Sequence, residues 1–188
     1  MQKATVFIEY APLETAWVPI IGDNYYYLYC LWVLGSPKGN GYGRALMEYC
    51  LTDAKEKGKS GVCMLGSKKQ KNWLSDQSFA KKFGFEVVDA TDNGYELSCT
   101  FILTGQCRNL TQNAKKMKIE SEDLTIYYDM QCPYIYQKIE MVKQYCDTNN
   151  VSCIFNSSGY TPKSEKTCLV FSITGAFFYK GNFWKQLK

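Results

Sequence analysis

The stretch Leu31-Trp32-Val33-Leu34-Gly35-Ser36-Pro37-Lys38-Gly39-Asn40-Gly41-Tyr42-Gly43-Arg44-Ala45 decides the fold. An apolar run ends in a glycine-rich loop, and an amphipathic segment follows it. This order predicts a strand, a sharp loop and a helix. Glycine lets the backbone turn without a Cβ clash. Successive N–H groups then point one way at the helix start, where partial positive charge and unpaired donors suit a phosphate or pyrophosphate. A P-loop would need G-x-x-x-x-G-K-S/T, and Arg44-Ala45 lacks the Lys-Ser/Thr pair. The Rossmann G-x-G-x-x-G fails as well, because Gly39, Gly41 and Gly43 alternate and position 46 is Leu. The spacing that is met is Q/R/K-x-x-G-x-G/A, through Lys38, Gly41 and Gly43.

Outward from the loop, periodicity predicts an α/β chain. Ala4–Tyr10 reads as a strand, Ala11-Pro12-Leu13-Glu14 as a turn, and Ala16–Ile21 as a second extended piece. Gly22-Asp23-Asn24 is the next turn, and Tyr25–Leu34 reads as a strand buried on both faces. The helix runs from Tyr42 to Lys57, with Tyr42, Leu46, Tyr49, Cys50 and Ala54 on one face and Gly58 at its C′ position. Gly61–Leu65 is a strand, Gly66–Asn72 a polar connection, and Trp73–Phe83 a second helix closed by Gly84. Phe85–Asp89 and Tyr95–Ile102 form a strand pair around Asp92-Asn93-Gly94. Composition turns polar over Thr104–Asp123, as a linker or partly helical connector. Beyond it come a strand at Leu124–Tyr128 and a helix at Ile135–Thr148, with Ile135, Ile139, Val142 and Cys146 on one stripe. Strands at Val151–Phe155, Cys168–Ile173 and Ala176–Tyr179 follow, then a terminal helix at Asn182–Lys188. The expected division is 1–104, a linker at 105–123, and 124–188.

Composition excludes whole classes of function. Of the 188 residues, 46% are apolar and 21% charged, which rules out a disordered tail. No apolar run reaches the roughly 18 residues that cross a bilayer. No basic n-region leads into an apolar h-region, so a cytoplasmic address is expected. The chain has no histidine, which removes the Ser-His-Asp triad, the Cys-His dyad and His-ligated metals; no metal site is expected. Any general base is a carboxylate, Tyr, Cys, Lys or water. The nine cysteines are odd in number and lack C-x-x-C spacing, so a reducing compartment is expected. Net charge is +4, all of it beyond residue 104, and the cations are scattered rather than striped; no nucleic-acid partner is expected.

The loop and its helix resemble the acetyl-CoA loop of the GNAT N-acetyltransferases. The resemblance continues through the strand at Gly61–Leu65 and the helix ending Lys82-Phe83-Gly84-Phe85-Glu86, whose K-x-G-F is typical of the family's second block. It covers roughly residues 4–103. It implies a mixed sheet in which two parallel strands splay apart and acetyl-CoA lies in the gap. The pyrophosphate would rest on the N–H groups of Gly39, Asn40, Gly41, Tyr42, Gly43 and Arg44, with Lys38 adding a cation. The pantetheine arm would pair with the backbone of Leu31, Trp32 and Val33. The acceptor is an amine, small-molecule or peptide.

Two departures from the family matter for catalysis. Many members carry a Tyr acid five residues before the Phe of Gly-Phe, and here that position is Ala80. Ser75, Ser78 or a water are the substitutes, and Glu9 and Glu14 the candidate bases, since they flank the strands opposite the loop. The family's first strand and two helices, which shape the acceptor pocket, are expected to be missing or replaced ahead of Ala4–Tyr10.

Leu124–Tyr128, Cys132-Pro133-Tyr134 and the helix resemble the opening of a thioredoxin or glutaredoxin fold, giving a small thioredoxin-like α/β domain. A Cys132 thiol at a helix N-terminus would have a lowered pKa, but position 135 is Ile where a redox pair needs Cys. A GNAT domain followed by such a module resembles proteins with a YoaP-like C-terminal domain. Three functions stand open: N-acetyl transfer from acetyl-CoA, CoA binding without transfer, and thiol redox chemistry through Cys132. Exposed sheet edges would let two chains pair as a homodimer.

Overall fold

The computed structural model describes residues 4–16, 18–67, 75–92, 94–103, 109–128, 133–157 and 176–186. The chain divides into two compact units, Met1–Ala16 with Ile20–Leu110, and Trp17–Pro19 with Thr111–Lys188.

The first unit is built on a mixed sheet. Its elements in chain order are β1 (Thr5–Pro12), β2 (Tyr25–Leu34), α1 (Tyr42–Glu56), β3 (Gly61–Ser67), β4 (Ser75–Asp76), α2 (Gln77–Lys81), β5 (Glu86–Ala90) and β6 (Tyr95–Phe101). The sheet order is β1-β2-β3-β6-β5, with β4 also paired to β3. β2 and β3 are parallel, joined through α1, and the other neighbours on this path are antiparallel. The aromatic and β-branched content of β2 suits a pleated surface.

One face of the sheet holds the core. Met47, Cys50 and Ala54 of α1 pack with Tyr26, Leu28, Val62, Met64, Ala80 and Phe85. The buried stripe of α1 is therefore rotated from the expected one: Cys50 and Ala54 hold, but Tyr42 and Tyr49 are exposed and Met47 is buried. The helix ends as its sequence directs. Gly58 adopts φ +64°, its N–H bonds to Lys55 O, and the Lys59 N–H bonds to Ala54 O, which is the Schellman closure.

Several expectations are corrected. Only Tyr25–Leu28 of β2 are buried; Trp32 and Leu34 are exposed, because β3 no longer flanks that half. Among the described residues of the expected piece Ala16–Ile21 no strand forms: the chain turns after Pro12, and Ile20 makes a single bridge to Leu110. Gly66 and Ser67 extend β3 instead of opening a loop. The second helix is reduced to Gln77–Lys81, because Ser75 and Asp76 pair in parallel with Gly66 and Ser67; residues 73 and 74 of the expected helix lie outside the described residues.

The second unit carries α3 (Gln112–Lys116), β7 (Leu124–Tyr128), α4 (Pro133–Thr148), β8 (Cys153–Ser157), β9 (Ala176–Tyr179) and β10 (Asn182–Gln186). Its sheet order is β10-β9-β7-β8. β7 and β8 are parallel across α4, and β9 and β10 add an antiparallel pair at the other edge of β7. Ile135, Ile139 and Cys146 of α4 are buried as the stripe predicted. The expected terminal helix is instead the strand β10, which turns back on β9 through Lys180 and Gly181, both at positive φ. Cys132 and the expected strand at Cys168–Ile173 lie outside the described residues. Cys30, Cys50, Cys63, Cys146 and Cys153 are thiols outside any disulfide, and Cys99 is disulfide-bonded.

Gly61 gives the first test. A Cβ there would collide with the Thr100 carbonyl of β6 and stand 2.7 Å from the Tyr25 ring, and a backbone neighbour cannot move aside. Gly61→Ala should therefore lower the unfolding free energy by about 3 kcal/mol in urea titration; a loss under about 1 kcal/mol would contradict the packing of this ladder.

Candidate active site: a parted strand pair beneath an uncapped helix

The ladder between β2 and β3 is short. It pairs Tyr25 with Gly61, Tyr26 with Val62 and Tyr27 with Cys63, and ends there, although both strands continue. The reason lies in β2. Against β1, Glu9 pairs with Cys30 and Tyr10 with Leu28, so Tyr29 is an extra residue on β2. Such a bulge bends the strand and raises its twist, and it falls immediately after the last β2–β3 pair. It also reverses the alternation. Tyr26 and Leu28 face the core before the bulge, and Leu31 packs there after it.

The far side of the gap is closed differently. β6 pairs along β3 as far as Ser67, occupying one edge of Gly66 and Ser67. β4 pairs with the same two residues and so takes the edge turned toward β2. Between the end of the parallel ladder at Cys63 and β4 at Gly66, the Met64–Leu65 edge has no strand beside it among the described residues. β2 from Leu28 onward keeps β1 on one edge only. The gap is thus lined by two main-chain edges, the arrangement an extended chain with amide groups can pair with.

The glycine loop stands at the end of β2. Gly35, Gly39 and Gly41 have φ of +79°, +88° and +81°. The Lys38 N–H bonds to Gly35 O at 3.0 Å and the Asn40 N–H to Pro37 O at 3.2 Å, with the Asn40 side chain donating to Ser36 O at 3.0 Å. These bonds fold the loop on itself. The first intrahelical bond of α1 runs from the Ala45 N–H to Gly41 O, so the Tyr42, Gly43 and Arg44 amides precede it. Gly41 is the N-cap residue, with no side-chain cap, and the first turn holds no acidic residue. A 15-residue helix thus presents its donors and dipole unneutralised. A Cβ at Gly39 or Gly41 would meet nothing within 4 Å, so it is the positive φ and not crowding that calls for glycine there. Gly43 is different, since its Cβ would stand 3.5 Å from Phe79 of α2 and 3.7 Å from Leu31.

The other expected residues are scattered about this centre. Lys38 and Tyr42 are exposed beside the loop. The Arg44 guanidinium lies 3.5 Å from Glu48 and over the Phe83 ring. Glu9 is exposed on β1, opposite Cys30 and next to the bulge. Glu14 stands at the other end of β2, where its Oε1 accepts the Asn24 N–H at 2.6 Å and its Oε2 lies 4.0 Å from Lys59 Nζ. Ser78 is exposed on α2; Ser75 is placed on β4 by its backbone alone. Ala80 is fully buried against the core. Sequence reading missed Gln77, which is 5% exposed at the start of α2; the clue was its i, i+3 spacing from Ala80. Among the described residues no cluster of His, Cys, Asp or Glu could hold a metal, and no helix is long and apolar enough to cross a membrane.

The sequence profile of the Acetyltransferase (GNAT) family matches residues 4–85. The N-acetyltransferase YoaP of Bacillus subtilis (strain 168), itself described as uncharacterized, is 32% identical over 186 residues, covering 97% of this chain and 72% of that protein. The chain belongs to the GNAT acetyltransferase family. It is accordingly an acyltransferase. Two solved structures are also similar. Ard1 from Thermoplasma volcanium is 19% identical with a TM-score of 0.37, covering 45% of this chain and 62% of its own. An acetyltransferase from Bacillus cereus ATCC 14579 is 17% identical with a TM-score of 0.36, covering 52% of this chain and 74% of its own.

Two tyrosine hydroxyls share one partly buried carboxylate of α1. Tyr10 Oη donates to Asp53 Oδ2 at 3.1 Å, and Tyr26 bonds to the same carboxylate. Burial and the Asp53 charge push the Tyr10 and Tyr26 phenols above their ordinary 10.0, and push the Cys50 thiol from 9.0 to about 12. The folded chain holds these protons more tightly than the unfolded one. Their contribution is therefore full below about pH 9 and falls as pH rises through the tyrosine range. Urea unfolding between pH 8 and 11 should show stability declining above pH 9, less steeply in Tyr10→Phe. A flat profile would refute the assignment.

Proposed function

We propose that the chain is an N-acetyltransferase that takes acetyl-CoA as donor and an amine as acceptor. The single observation that carries this reading is the parting of β2 from β3 directly beneath the uncapped start of α1. The amides of Gly39 and of Gly41 to Arg44 hold the pyrophosphate, the Asn40 N–H being bonded to Pro37 O, with the dipole of α1 behind them and Lys38 beside them. The pantetheine arm runs into the gap along the free edge of β2 at Leu31 to Val33.

The reaction asks little of the protein beyond placement. The amine nitrogen forms a bond to the thioester carbon, the carbon–sulfur bond breaks, one proton leaves nitrogen and one reaches the thiolate. Glu9 is the base this reading favours. It shares a sheet face with Cys30, next to the bulge, and the exposed Phe7 and Trp32 pair stands next on that face. Glu14 ties the start of β2 to the segment before β3 and plays no part in the transfer. Ala80 supplies no acid, so water serves that role. The second unit is a thioredoxin-like module of the YoaP type, a reading supported by β7, α4 and β8 forming one parallel crossover with an antiparallel pair on its other edge.

Titration calorimetry with acetyl-CoA tests the donor. The wild-type chain should bind it, and Gly41→Val/Gly43→Val should weaken binding about 100-fold, since several amide bonds worth about 1 kcal/mol each are lost when side chains crowd the anion. Undiminished binding by the double variant would remove the loop from the site. Glu9→Gln should lower kcat about 100-fold in a thiol-release assay over an amine panel while leaving the acetyl-CoA Kd unchanged. An unaltered kcat would return the base to solvent.

A further inference from the structure

The side chain of Gln77 has one end fixed and the other unanswered. Its Oε1 accepts the Ser98 hydroxyl of β6 at 2.7 Å, inside the protein. Its Nε2 is fully buried and has no hydrogen-bond partner among the described residues. The residue as a whole is 5% exposed. A donor buried without an acceptor is rare and costs about 1–3 kcal/mol. The amide fits only because residue 66 has no side chain: a Cβ on Gly66 would collide with Gln77 Nε2, Cδ and Cγ.

The location tells what the donor is for. Gln77 lies over Gly66 of β3, next to the Met64–Leu65 edge that no strand covers. Two residues later on the same short helix, Phe79 lies against Gly43 in the first turn of α1. α2 therefore bridges the anion-binding turn and the parted strands, and Gln77 stands at its strand end. A ligand passing from one to the other carries carbonyl oxygens past this amide.

We infer that Gln77 is a binding residue for the acyl-CoA arm, its Nε2 donating to a carbonyl oxygen of the pantetheine or of the acyl thioester. This rests on the acyl-CoA reading above. Ser98 is a positioning residue, because its bond to Oε1 fixes the amide with the NH₂ group over Gly66. Binding gives an acceptor to a donor that the described residues leave without one.

The test compares three ligands on the full chain by calorimetry: acetyl-CoA, CoA, and adenosine 3′,5′-bisphosphate, which has no pantetheine. In Gln77→Met, whose side chain keeps the length and loses the donor, the acetyl-CoA Kd should rise about tenfold, one hydrogen bond, while the bisphosphate Kd stays within about twofold. If the acceptor is a pantetheine amide, CoA loses as much as acetyl-CoA; if it is the thioester, CoA is unaffected. An equal loss for all three ligands means that Gln77 only holds α2 in place, and no loss for any means that it touches none; either overturns the inference. Wild-type protein that binds none of them overturns the acyl-CoA reading itself. A second measurement needs no variant. In wild-type protein the Gln77 side-chain amide resonances should shift with acetyl-CoA and remain in place with the bisphosphate; identical spectra would also overturn the inference.

Discussion

The structure of the first unit turns on where two parallel strands stop being neighbours. A parallel pair in a covered sheet normally keeps its ladder to the strand ends, because every broken rung exposes a donor and an acceptor. Here the ladder stops after three rungs. The extra residue Tyr29 bends β2 toward β1, and β4 then caps the far edge of β3 so that the two edges cannot close again. A bulge is a local defect of one residue. Its effect is a stretch over which β2 and β3 share no ladder, so that main-chain donors and acceptors of both strands face the gap between them. Charge enters only at the mouth, where the start of α1 brings amides and dipole to the end of the same strand.

That coupling explains why one segment dominated the sequence reading. Leu31 to Ala45 encodes the free edge, the turn and the helix start in fifteen consecutive residues, so the pattern is local. Glycines at positive φ and a helix without a side-chain cap are visible in sequence because nothing else is needed to produce them. The Schellman end at Gly58 is legible for the same reason. The parallel crossover of the second unit was likewise announced by the alternation of Leu124–Tyr128 with the stripe Ile135, Ile139, Cys146.

The misreadings are those where a distant partner decides. Tyr25–Leu34 looks uniformly apolar, and its exposed second half follows from the absence of β3 beside it, which no local pattern records. The expected helix from Trp73 yields at Ser75 and Asp76 to a two-residue strand, because Gly66 and Ser67 offer an open edge. Asn182–Lys188 has neither strong period, and the turn through Lys180 and Gly181 gives it to β9. Tyr42 and Tyr49 share a helical face in projection, but the sheet that α1 packs on lies nearer Met47.

Gln77 and Ala80 make the last connection. Both lie on the face that α2 turns to the sheet, one turn apart, and both are buried. A helix of five residues has little intrinsic stability, so its placement depends on these contacts and on Phe79 and Phe83, whose rings stand 5.1 Å apart beside α1. Apolar packing alone would seat it better with a hydrophobe at position 77, for a buried orphan amide opposes folding. The sequence instead places Gly66 under that amide, giving up a side chain on β3 to make room for it. A glycine on β3 and a glutamine on α2 are thus explained together by a single acceptor that the described residues do not provide.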